Sequence, residues 1–169
     1  MKKISDIHAI KIIFFITACY VGLWAIRIPT IKDQLQTDYV GVGYIMLSFA
    51  IGSIVAMIFA NALILKTSTK SILTCTLIAE GCLWLPVPFI QELWLFMVFS
   101  FVFGMSYGAF EIACNVYASN LEVREKKSMM SGFHAFWSLG VLFGSLITSF
   151  LLEWNYSFIF NILLYVIIP

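Results

Sequence analysis

Residues 93–119 read LWLFMVFSFVFGMSYGAFEIACNVYAS, an apolar run whose only charge is Glu111, with Asn115 one helical turn further on. About 20 predominantly apolar residues suffice to cross the hydrocarbon of a bilayer as a helix. This run exceeds that length, and the chain supplies such runs five times and begins a sixth. A carboxylate inside lipid is expensive, so it marks a solute or proton path unless it is paired. The pattern therefore predicts a polytopic membrane protein whose business is transport.

Composition agrees and narrows the class. With 62% hydrophobic and 11% charged residues, the 169-residue chain lies far from the composition of soluble domains. The formal net charge of +1 and the lack of a basic cluster argue against nucleic acid as a partner. Cys19, Cys75, Cys82 and Cys114 all fall in apolar runs without the close pairing of zinc or redox motifs, and read as small packing residues. Lys2 and Lys3 before an apolar stretch imitate a secretory signal, but no small-residue cleavage site precedes Arg27, so the stretch reads as a retained first transmembrane helix.

Hydropathy predicts an all-α fold, a single transmembrane domain over residues 1–169, with helices at about 9–28, 40–65, 71–90, 93–119, 131–152 and 157–169. The last run is too short to span, as if the chain stopped inside a helix. Lys2, Lys3, Lys66, Lys70, Arg124, Lys126 and Lys127 fall on one side, and only Arg27 and Lys32 on the other. The positive-inside rule then places the amino terminus in the cytoplasm, and the cytoplasmic (inner) membrane is the expected location. Gly52 with Ala56 matches Gly140 with Gly144, and Tyr20 echoes Tyr107, at offsets close to 88 residues. Two three-helix repeats of inverted topology would give that offset, as would the general preference of membrane helices for small residues at contacts.

The candidate chemistry lies on three helices. Tyr107, Glu111 and Asn115 recur every four positions and share one face of the fourth helix, with Gly104 and Gly108 beside them. His134, at the start of the fifth, is expected about as deep as the Glu111–Asn115 turn, where the two groups share a proton or a solute hydroxyl or simply tie the helices together. Burial disfavours the charged form of both, which brings proton exchange towards neutral pH. Trp24, Arg27 and Pro29 are expected to end the first helix on the outer side. There arginine offers a forked donor and tryptophan a flat face for a sugar ring, or both serve as interfacial anchors. Glu80 lies near the middle of the third helix and by its cost is functional or paired. Lys11 is expected to snorkel to the cytoplasmic interface. Pro86 and Pro88 are expected to kink or terminate the third helix. No phosphate loop, nucleophile elbow or metal-ligand spacing is present, so the chain reads as a non-enzyme that uses no cofactor or metal and draws on an ion gradient.

Three strings, WAIRIPTIKD at 24–33, GMSYGAFEIACN at 104–115 and HAFWSLG at 134–140, resemble the amino-terminal six-helix half of a major facilitator superfamily transporter, in particular bacterial sugar-permease-like members related to fucose permease. The resemblance implies that helices one, four and five line a central cavity, and that a small polar, sugar-like solute moves by proton-coupled symport and alternating access. Glu111, Asn115, His134, Arg27, Tyr107 and Trp24 would then bind proton and solute. It also implies a cytoplasmic gate loop between helices two and three. Lys66 and Lys70 keep its basic positions, while Asn61, Leu65 and Ser68 stand where the family has glycine, aspartate and glycine, and Thr69 where it has a basic residue. The family's rocking mechanism uses two halves. The lipid bilayer and the solute are thus the expected partners, with a second six-helix half or a homodimer to complete the path. The rival expectation is a truncated, non-transporting remnant or a membrane interaction module.

Overall fold

The computed structural model describes residues 2–167 of the chain. The described residues form helices α1 (Lys2–Gln34), α2 (Tyr39–Lys66), α3 (Thr69–Trp84), α4 (Leu93–Glu125), α5 (Met130–Glu153) and α6 (Phe158–Ile167), with a short 3-10 turn at Val87–Phe89 and no strand. Five segments are long and apolar enough to cross a membrane: Asp6–Gln34, Tyr39–Ala60, Thr69–Phe89, Leu93–Glu125 and Met130–Glu153. The sixth run is helical over ten residues, about 15 Å.

Hydropathy reads only the part of a helix that suits lipid, so the helices overrun the expected bounds where polar residues continue the backbone pattern. The first is the clearest correction. Pro29 does not end it, because α1 continues to Gln34 with Pro29 inside. A proline removes one i to i−4 hydrogen bond, a loss that helices in membranes tolerate. Likewise α4 runs on to Glu125, beyond the expected Ser119. The third helix stops at Trp84, short of its expected end at 90, because Pro86 and Pro88 terminate it, as expected of them, and shape the 3-10 turn.

Non-glycine residues in the left-handed region end three helices: Gln36 (φ 50°), Lys126 (φ 53°) and Asn155 (φ 57°). After each, the chain folds back onto the helix it leaves. Thr37 N–H donates to Lys32 C=O, Lys127 N–H to Glu122 C=O and Tyr156 N–H to Leu151 C=O, which satisfies carbonyls the helix end would otherwise orphan. At the start of α3, the Ser68 hydroxyl accepts from Ser71 N–H at 3.1 Å.

The residues cluster into two compact units, one of Ile28–Asn115 and the other of Met1–Arg27 with Val116–Pro169. In the Ile28–Asn115 unit, α2 and α4 touch backbone to backbone: a Cβ on Gly104 or Gly108 would collide with the main chain of Phe49 or Ser53. The other unit joins α1 to α5 the same way, Gly140 against Phe15 and Gly144 against Cys19. Small residues at contacts with large apolar residues outside are what lipid requires, since it supplies no hydrophobic force to bring helices together. In α5 the buried residues are Phe133, Gly140, Gly144, Thr148 and Leu151, while Leu142, Phe143, Leu146 and Phe150 are exposed. Of the cysteines, which are all free, Cys114 is buried and Cys19 half-buried, but Cys75 and Cys82 lie exposed rather than packed inside.

Candidate functional site

In the Ile28–Asn115 unit, the α4 face of Tyr107, Glu111 and Asn115 is half-buried, next to a glycine edge that brings α4 onto α2. The Tyr107 ring lies 5.4 Å from the Phe49 ring of α2. The Asn115 amide turns back along its own helix, Nδ2 donating to the Glu111 C=O at 3.0 Å, and so leaves the Glu111 carboxyl free of that amide. Glu80 of α3, to which no role is given above, is 2% exposed, and its Oε1 has no hydrogen-bond partner. Glu80 and Glu111 both lie close enough to Tyr107 and Cys114 to act on them electrostatically. Gln34, absent from the candidates above, pins the end of α1 to the 3-10 turn by donating to Val87 C=O at 2.9 Å and Ile90 C=O at 2.6 Å. Lys66 and Lys70 are exposed at the short turn between α2 and α3.

In the other unit, Arg27 is 2% exposed rather than presented at an outer surface. Its Nε donates to Asn161 Oδ1 at 3.0 Å, its Nη2 reaches Tyr156 C=O at 3.4 Å, and its guanidinium lies 5.2 Å from the Phe158 ring centre. Asn161 of α6 is fully buried and its Nδ2 has no partner. Sequence reasoning missed it, although a lone amide in the apolar run 157–169 is a signal of the same kind as Asn115. Trp24 is half-buried. His134 is exposed on the second turn of α5, its ring edge-on to Phe14 at 5.5 Å. Lys11 lies over the Phe136 ring at 5.1 Å. The α4–α5 connection is held by Glu122, whose carboxylate accepts from the N–H groups of Met129 and Met130 at the start of α5. A cavity of about 360 Å³, lined by Phe15, Ile16, Cys19, Phe143, Ile147, Leu164 and Tyr165, is apolar and contains none of the candidate residues.

An all-helical chain with five spanning segments, glycine-knit helix pairs and ionisable groups buried in its helices has the physical character of a membrane transporter. The family model for the Major Facilitator Superfamily matches residues 12–169. The chain belongs to the major facilitator superfamily. Among curated proteins, this major facilitator chain is 29% identical over 145 residues to an uncharacterized MFS-type transporter of Yersinia pestis, covering 84% of this chain and 37% of that protein. It is 25% identical over 141 residues to the uncharacterized transporter y4wD of Sinorhizobium fredii, covering 78% of this chain and 35% of that one. The chain thus spans little more than a third of the length of these relatives. No solved structure matches it. Family and relatives point to membrane transport rather than enzymatic catalysis, and to a multi-pass protein in contact with lipid.

Proposed function

We propose that the chain contributes to secondary active transport of a small polar, sugar-like solute by proton-coupled alternating access across the cytoplasmic (inner) membrane, with its amino terminus in the cytoplasm. The observation that carries this reading is Glu111, half-buried near the middle of the 33-residue α4 of a major facilitator chain. A carboxyl there is retained at a cost that transport explains. Glu111 takes the proton or a solute hydroxyl. Tyr107 and Asn115 share its face, and His134, Trp24 and Arg27 contribute to solute binding. Lys66 and Lys70 act at the cytoplasmic gate.

Residues 1–169 act as one transmembrane domain, a six-helix half built from two inverted three-helix repeats. The glycine-mediated helix contact found in each unit supports the repeat. Alternating access needs two halves. A second reading, favoured by the 37% and 35% coverage of the relatives, is that the path forms only with a second six-helix half or a second copy of the chain.

Glu111→Gln tests the first reading. Uptake of radiolabelled neutral sugars under an imposed proton gradient should fall to background with the protein still present in the membrane, and unchanged uptake would remove Glu111 from the mechanism. Native mass in detergent tests the second: a functional monomer of this chain refutes it.

A further inference from the structure

Glu80 lies about 16 Å along α3 from Thr69, which is about half the depth of the hydrocarbon. It is 2% exposed with Oε1 unpartnered. Among the described residues, the titratable groups tied to it electrostatically are Tyr107 and Cys114 of α4, with Glu111 acting on the same two side chains. None of these carries positive charge. An ionised carboxylate buried this deeply bears a large desolvation cost, whereas the neutral acid bears much less of it.

We propose that Glu80 is a second proton-binding site of this protein, a carboxylic acid that holds its proton in the helix arrangement seen here and gives it up when water reaches α3 during the transport cycle. The balance is simple: the O–H bond of Glu80 breaks, water accepts the proton, and the carboxylate left behind becomes the only charge gained by the buried site. The proposal rests on the transport reading for its role and on burial alone for its occupancy, and the two are tested separately.

Occupancy is read by infrared titration of the chain in phosphatidylethanolamine–phosphatidylglycerol vesicles, with carbon-13 glutamate to separate glutamate from aspartate. A neutral-carboxyl band at pH 7 that survives Glu111→Gln and is lost or reduced in Glu80→Gln is expected. A band unchanged in Glu80→Gln overturns the proposal. So does a Glu80→Gln chain that fails to fold, since an amide is the isostere of a neutral acid and replaces it without exposing or stranding a charge. The role is read in the same vesicles from accumulation of glucose, galactose and L-fucose under a pH gradient. Glu80→Gln should lose at least about tenfold of the accumulation while keeping gradient-independent exchange. Full accumulation by Glu80→Gln removes Glu80 from the cycle. Absence of accumulation by the wild type counts against the coupling reading itself and leaves the infrared result to decide the proton site.

Discussion

The contact between Arg27 and Asn161 permits a sharp energetic test, because both side chains are almost wholly buried and the geometry is simple. Arg27 has one short bond, Nε to Asn161 Oδ1 at 3.0 Å, and one long one, Nη2 to Tyr156 C=O at 3.4 Å. Asn161→Leu removes the short bond to a charged donor, and hydrogen bonds to charged groups contribute about 1.5–3 kcal/mol. Arg27→Met keeps the apolar stem and strands a buried amide, at about 1–3 kcal/mol. Replacing both, as Arg27→Met with Asn161→Leu, removes both side-chain partners together and should recover much of either loss. Typical interhelical hydrogen bonds in membranes couple by only about 0.6 kcal/mol, with about 1.7 at the top of the range. The charge and the full burial put this pair at the upper end, at about 1.5 kcal/mol of coupling. Thermal unfolding in detergent of the wild type, both single variants and the double variant gives the number directly. A coupling below about 0.5 kcal/mol would refute the reasoning, since it would mean that Arg27 finds water or another partner as readily as Asn161.

Four further substitutions test the close contacts and the helix ends. Gly144→Leu, which drives a side chain into the backbone of Cys19, should cost about 3 kcal/mol, while Gly132→Ala, with open space around it in α5, should gain about 0.5–1 kcal/mol; melting midpoints of the two distinguish close contact from mere helix propensity. Lys126→Gly relieves a left-handed backbone conformation and should stabilise by about 1 kcal/mol in chemical denaturation, because the neighbouring Lys127 N–H to Glu122 C=O bond is kept. Glu122→Ala strips the carboxylate from the first N–H groups of α5 and should cost about 1 kcal/mol, read as faster amide hydrogen exchange at Met129 and Met130.

How far the sequence was legible follows from what each feature depends on. The run 93–119 could be read as a helix because length and apolarity in lipid leave the backbone no other way to pair its groups. Its continuation to Glu125 could not, because beyond the lipid the helix is held by local caps and not by hydropathy. The same logic misplaced the end of α1: in a soluble helix Pro29 would be a strong stop, but a long apolar helix loses one bond of many there and continues. Gly140 and Gly144 announced a close contact by spacing alone, while the strand of backbone they meet, around Phe15 and Cys19, is a property of packing.

The site divides along the same line. Single buried polar residues are visible in an apolar sequence because each is a cost that something must offset, which is how Glu111, Asn115, Arg27 and Glu80 all stood out. What offsets each cost is a tertiary fact. Arg27 read as an outer donor because its chemistry suits a solute, yet its nearest acceptor belongs to Asn161, 134 residues away in the chain. Asn115 read as a partner for solute or proton, and one of its amide N–H groups donates to the carbonyl one turn back. Glu80 found no hydrogen-bond partner for its Oε1. Sequence showed that Glu80 carries a cost and the fold shows that no partner offsets it at Oε1, which leaves the neutral acid as its less costly form there.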